Sequence, residues 1–110
     1  MSNSFGRYYN AAMTVRIDPE GAEKRVLLDY AGDLTGKRVL EVGCGSGRLT
    51  WHYAHLPAHT TGLDPDPDRI AKAQQDLPAH LYDRVEFHIG SLQEYQPPHS
   101  FDLIIFSWSL

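Results

Sequence analysis

The apolar positions of this chain recur with two different periods along its length. Ala22, Val26, Leu27, Tyr30 and Ala31 repeat at helical spacing, and Asp18-Pro19 ahead of them reads as a cap and first-turn proline, so a helix is expected over about 19–31. Gly32 and Gly36 bracket a turn. Val39 to Val42 is then a short apolar run that fits a buried parallel strand, about 38–42. Gly43, Gly45 and Gly47 follow at once. Beyond them Leu49, Tyr53 and Leu56 define one face of a helix over about 47–55, which Pro57 ends.

The cycle then repeats. A short second strand is expected at about 60–64. Asp66 and Pro67 again read as cap and first-turn proline, and Ile70, Ala73 and Leu77 mark one face of a helix over about 67–77 that stops at Pro78. Val85-Glu86-Phe87-His88-Ile89 alternates cleanly as a third strand before Gly90. A polar loop with Pro97 and Pro98 leads to Phe101–Phe106, the most apolar segment, which suits a fourth strand covered on both faces. The fold class is α/β, a doubly wound, mostly parallel, Rossmann-like sheet. Residues 1–18 form an N-terminal segment, read as a short helix or a lid, and 19–110 form the ligand-binding part. No repeat or low-complexity stretch interrupts this order.

The chain has 110 residues, which supports one domain. It stops directly after the fourth predicted strand. With the first strand central, the fourth would be an uncovered apolar edge, an aggregation liability. The expectation is a domain truncated after strand four, or self-association through that uncovered strand. Net charge is -4, from 10 basic and 14 acidic residues, and no basic patch in sequence order points to nucleic acid. A single cysteine, Cys44, excludes an internal disulfide and suits a reducing compartment. No signal segment or membrane-length run stands out, so a cytoplasmic protein without a membrane partner is expected.

Candidate chemistry gathers around the glycines. Glycine permits a tight turn and close approach of a ligand to the backbone, and a helix starting there would direct amide N–H groups at that ligand. Asp64 stands 21 positions after Gly43, at the end of the second strand, where a carboxylate can hold two ribose hydroxyls. A dinucleotide fingerprint would need glycine at the sixth loop position; that position is Arg48. Glu41, between Leu40 and Val42 in a covered strand, needs a partner. A ligand ammonium would provide one; backbone amides or Arg38 are the plain structural alternative. Cys44 reads as a packing thiol. His52, His55 and His59 have the spacing of a metal face, but Pro57 breaks that helix, and no metal is expected. Tyr8, Tyr9 and Trp108 are equally well substrate-lining or core residues.

Val39-Leu40-Glu41-Val42-Gly43-Cys44-Gly45-Ser46-Gly47, then Gly62-Leu63-Asp64, Val85–Leu92 and Phe101–Ile105, stand in an order and spacing that resemble class I S-adenosylmethionine-dependent methyltransferases of the ubiquinone and menaquinone type. The resemblance covers roughly residues 20–110. It implies methyl transfer from S-adenosyl-L-methionine to a small-molecule acceptor. It implies a pocket formed by Glu41, Gly43, Cys44 and Gly45 for the cofactor's amino acid portion, with Glu41 near the ammonium. Asp64 is then expected on the ribose, Pro65 beside the adenine, and Ser91 and Leu92 at the adenine edge. Ser91 replaces an aspartate frequent in the family. Ser107 and Trp108 are expected to face the reacting methyl group. Family members continue for three further strands in the sheet order 3-2-1-4-5-7-6. The resemblance nominates no general base, and catalytic residues are left unassigned. Two other readings stand beside it: a non-catalytic methyltransferase-like module that binds a partner, and a dinucleotide-dependent oxidoreductase.

Overall fold

The computed structural model describes residues 13–17, 33–96 and 100–107. The expected helix over 19–31, residues 1–12 of the proposed lid, Tyr8, Tyr9, Trp108 and the Pro97-Pro98 turn lie outside these residues.

Among the described residues, five strands form one parallel sheet. They are β1 (Met13–Ile17), β2 (Arg38–Val42), β3 (His59–Asp64), β4 (Val85–Ile89) and β5 (Leu103–Ser107), ordered β1-β5-β2-β3-β4. Two helices, α1 (Thr50–Tyr53) and α2 (Pro67–Asp76), connect β2 to β3 and β3 to β4, and a 3₁₀ turn (Ala79–Leu81) precedes β4. The doubly wound arrangement expected from the sequence is therefore present.

Each strand of the central pair has two buried faces. In β2, Val39 and Glu41 lie on the side of α1 and α2, while Leu40 packs on the opposite side with Leu63, Phe101 and Ile104. Leu49, Tyr53 and Leu56 do turn one face to the sheet, against Val39, Leu103 and Ile105. Ile70, Ala73 and Leu77 of α2 join Val85 and Phe87. Asp66 caps α2, its Oδ1 accepting the Asp68 and Arg69 amides at 2.9 and 3.4 Å, with Pro67 at the first turn as expected.

Two expectations are corrected. Met13–Ile17 is neither helix nor lid but a strand, paired with β5 from Met13↔Leu103 to Ile17↔Ser107. Its sequence, Met-Thr-Val-Arg-Ile, alternates with period two, the strand signature. It follows that the fourth predicted strand, β5, is not an edge: β1 lies on one side and β2 on the other. The argument for self-association through an uncovered strand loses its premise.

The helix after the glycines is also shorter than 47–55. Residues 45–49 form turns, α1 spans only Thr50–Tyr53, and Leu56 donates to Tyr53 in an i→i+3 bond as the chain approaches Pro57.

β2 and β5 are pinned at their starts by one reciprocal contact. The Arg38 amide donates to the Asp102 carboxylate at 2.8 Å, and the Asp102 amide donates to the Arg38 carbonyl at 2.8 Å. This bond sets the register that brings Ser107 beside Glu41 and Gly43 at the other end of the strands.

Candidate functional site

The carboxyl ends of β2, β3 and β5 converge on the Gly43–Gly47 bend. Three of its glycines have positive φ: 81° at Gly43, 57° at Gly45 and 95° at Gly47. Gly43 has a second reason to lack a side chain. A Cβ there would stand 2.6 Å from the Ser107 carbonyl oxygen, so β5 can close on the bend only over glycine. At Gly47 the Trp51 indole occupies the same space, 2.5 Å from a would-be Cβ.

The bend's amides are committed within the protein. Gly43 and Cys44 both donate to the Leu63 carbonyl, at 2.7 and 3.2 Å, and Gly47 donates to the Cys44 carbonyl at 3.1 Å. Gly45 donates to Asp64 Oδ2 at 2.9 Å. The amides of Gly43, Cys44, Gly45 and Gly47 are thus taken up by the protein itself, and α1 begins only at Thr50, beyond the bend.

Asp64 ends β3 and is nearly buried. Its Oδ1 accepts the Asp66 amide at 2.9 Å, while Oδ2 takes the Gly45 amide. A carboxylate offers about four lone-pair sites, so each oxygen keeps acceptor capacity toward the cleft. Pro65, next to it, is exposed.

Glu41 is completely buried, at 0% exposure. Its Oε1 accepts the hydroxyls of Thr50 and Tyr53, both at 2.7 Å. Oε2 lies 2.7 Å from the hydroxyl of Ser107. Among the described residues, neither a backbone amide nor Arg38 serves it. Burial pushes this carboxyl above the ordinary carboxylate range, against the lowering effect of the three hydroxyls. The half-buried Ser107, whose Oγ also lies 3.0 Å from the Gly43 carbonyl oxygen, stands between Glu41 and the cleft. Tyr53 and Thr50 could have been suspected from their helical spacing opposite Glu41; the role of Ser107 as a bridge could not.

Cys44 is buried with its thiol against Gly62 and Phe87, and burial drives its ionisation far above that of an ordinary thiol. Its side chain packs, while its backbone belongs to the bend. Gly62 owes its identity to this contact, since a Cβ would meet the Phe87 ring at 2.6 Å and the Cys44 sulfur at 2.9 Å.

At the end of β4, the Ser91 amide and hydroxyl both donate to Glu94 Oε1, at 3.1 and 2.8 Å. Glu94 was not singled out in the sequence, yet it brings a carboxylate to the position where Ser91 offers none. Glu94, Gly90 and Ile89 help line a depression of about 220 Å³. Ile89 is 59% exposed, an unusual setting for an isoleucine, and lies in register with Asp64 on the neighbouring strand. Leu92 is half-buried and packs under the sheet with Leu40 and Leu63. His59 lies beside Glu86, at 3.9 Å, and no group of three potential metal ligands forms among the described residues.

The structure thus brings together Glu41, Gly43, Cys44, Gly45, Asp64 and Ser107 at one set of strand ends, with Pro65 and Ser91 at its margin. Comparison with known proteins gives the family of the chain. The profile of the family described as "Methyltransferase domain" matches residues 39–110. The magnesium-protoporphyrin O-methyltransferase of Rhodobacter capsulatus is 35% identical over 81 residues, covering 74% of this chain and 36% of that protein. The ubiquinone biosynthesis O-methyltransferase of Aromatoleum aromaticum is 34% identical over 82 residues, covering 70% of this chain and 33% of that protein. Phosphoethanolamine N-methyltransferase 1 of Haemonchus contortus, solved with phosphoethanolamine and S-adenosylhomocysteine, superposes with a TM-score of 0.68 at 27% identity, covering 82% of this chain and 19% of that one. The chain spans about a third of the length of these two curated relatives. With the glycine bend, the strand-end aspartate and strands β3, β4 and β5 in the matched span, the chain belongs to the methyltransferase domain family.

Proposed function

We propose that this chain is the cofactor-binding part of an S-adenosylmethionine-dependent methyltransferase that acts on a small-molecule acceptor in the cytoplasm. The observation that carries the reading is the bond between Asp64 and Gly45. It holds a carboxylate with spare acceptor sites against a bend of glycine backbone, so that acceptors for ribose hydroxyls and the floor of the bend lie side by side at one set of strand ends.

The chemistry of the donor set suits such a cofactor. Two acidic side chains, Glu41 and Asp64, flank the bend, and four of its amides, those of Gly43, Cys44, Gly45 and Gly47, are already engaged. A positively charged nucleoside ligand is favoured there and a dinucleotide is not. The oxidoreductase reading has no support. The reading as a non-catalytic binding module rested on an uncovered fourth strand and on absent later strands, and β1 removes the first of these grounds.

In this proposal Asp64 accepts the two ribose hydroxyls, Pro65 and Ile89 offer apolar contact to the base, and Ser91 with Glu94 offers hydrogen-bonding groups at its edge. Gly43, Gly45 and the backbone of Cys44 form the floor for the amino acid portion, with Leu92 supporting the base-side margin from beneath. The bound cofactor supplies a sulfonium-activated methyl group. The protein's share is orientation and exclusion of water, from which most of the rate derives in a displacement of this kind. The magnesium-protoporphyrin and ubiquinone relatives support a small organic acceptor.

Thermal unfolding tests the reading. At about a hundredfold excess over Kd, a specific ligand adds about 2.7 kcal/mol, a rise of roughly 10 °C in Tm for a domain of this size. S-adenosylhomocysteine should produce such a shift and NAD should not. A shift with NAD alone overturns the proposal.

A further inference from the structure

The hydrogens around Glu41 can be counted, and the count does not suit a carboxylate. Ser107 has one hydroxyl hydrogen and two oxygen neighbours, Glu41 Oε2 at 2.7 Å and the Gly43 carbonyl at 3.0 Å. If Glu41 is ionised, both neighbours are acceptors, and one hydrogen must serve two. If Oε2 carries a proton, every contact has its hydrogen. Oε2–H then donates to Ser107 Oγ, Ser107 donates to the Gly43 carbonyl, and Thr50 and Tyr53 donate to Oε1. The titratable groups facing Glu41 from the packed elements are Tyr53 of α1, Cys44 of the bend and Asp64 of β3, all acids. No cation among the described residues pairs with this 0%-exposed group, and an isolated buried charge is expensive.

We propose that Glu41 is a neutral acid in the free protein and that capture of a ligand's ammonium group drives its proton out through Ser107. The inference rests on the methyltransferase reading above and extends it to proton linkage. Upon ionisation the Ser107 hydroxyl turns from the Gly43 carbonyl to Glu41 Oε2. The Gly43 carbonyl and a lone pair of Ser107 Oγ are then both open to the N–H groups of the ammonium. One O–H bond breaks at Oε2, its proton passes to solvent, and the buried carboxylate gains the cation it lacked. Tyr53 and Thr50 are positioning residues: they hold Oε1 so that Oε2 alone exchanges its proton.

Two measurements test this. Infrared difference spectroscopy of the chain against Glu41→Gln reads the acid directly; a protonated-carboxyl stretch at neutral pH that the substitution removes is expected, and its absence overturns the proposal whatever the ligand does. Calorimetry in buffers of different ionisation enthalpy then counts protons on binding of S-adenosylhomocysteine and of 5′-methylthioadenosine, which lacks the amino acid. With the first ligand, close to one proton is released, and affinity rises about tenfold per pH unit over the range in which free Glu41 is protonated and the ligand's amine stays charged. The second ligand releases none. Glu41→Gln, isosteric with the neutral acid, abolishes the release and weakens only the first ligand. Tyr53→Phe, which removes one donor to the carboxylate, shifts the pH profile upward. Equal proton counts for the two ligands overturn the proposal and leave the methyltransferase reading standing. Binding of neither ligand overturns both.

Discussion

Asp64 and Gly45 lie 19 residues apart in sequence and are joined by a 2.9 Å hydrogen bond from the Gly45 amide to Oδ2. The same carboxylate takes the Asp66 amide at the start of the α2 cap. One side chain therefore fixes the glycine bend, the end of β3 and the entry to α2 relative to one another, so the cleft is set up before a ligand arrives. A pre-formed site loses less to ordering when it binds.

The Asp64→Asn substitution keeps the shape of the side chain and removes its charge and part of its acceptor capacity. Affinity for S-adenosylhomocysteine should fall at least about tenfold, the equivalent of about 1.4 kcal/mol. Asp64→Ala should additionally lower stability by about 1–3 kcal/mol, because the buried Gly45 amide loses its acceptor. Titration calorimetry and denaturant unfolding separate the two effects.

Glycine positions should divide by what surrounds them. Gly62→Ala forces a methyl group into the Phe87 ring and the Cys44 sulfur, an overpacking that costs about 1–3 kcal/mol. Gly36→Ala meets nothing within 4 Å and pays only for its φ of 77°, about 1–2 kcal/mol. A suppressor that shrinks Phe87, such as Phe87→Leu, should relieve part of the first loss and none of the second. Denaturant midpoints for the single and double variants provide the measurement.

The buried Glu41 also gives stability a pH dependence of definite sign. Its folded pKa is raised above the value of 4.5 for an unhindered glutamate. The folded chain binds the proton more tightly, so this group's contribution is fully present below about pH 4.5 and is lost as pH rises through the folded pKa. Stability of Glu41→Gln should lack that loss, and the difference between variant and parent should grow in the variant's favour across this window. Urea midpoints measured at several pH values check the sign.

Cys44 is buried, and burial first, then the acidic neighbourhood of Glu41 and Asp64, suppresses its ionisation. A thiol reagent at mildly alkaline pH should leave the folded chain unmodified and react rapidly once denaturant unfolds it, since the thiolate is the reactive form. Rapid labelling of the folded chain would contradict the packing described for this residue.

Where local pattern and tertiary need coincide, the structure follows the sequence closely. The clean alternation of Val85–Ile89 and the apolar run before Gly43 become strands with those bounds, and Asp66-Pro67 caps a helix. The glycines, Asp64 and Glu41 could be singled out because their chemistry is conspicuous in an apolar setting. Other features depend on contacts that spacing does not report. Ser107 bridges to Glu41 only because the Asp102 carboxylate and Arg38 amide set the strand register 64 residues apart in the chain. The short α1 reflects glycine-loop amides drawn toward Leu63 and Asp64, a competition no helical periodicity reveals. Met13–Ile17 alternates as a strand should, but aromatic residues ahead of it obscured so short a signal, and its partner lies at the far end of the sequence.

That last pairing shapes how the molecule assembles. β2, β3 and β4 can zip together through neighbouring segments, whereas Met13 meets Leu103 across a sequence separation of 90 (103 − 13), which must first be closed into a loop. A long closure slows folding. Until the two strands meet, each presents an unsatisfied backbone rail to other chains, so the yield of native protein depends on how quickly these distant segments find each other.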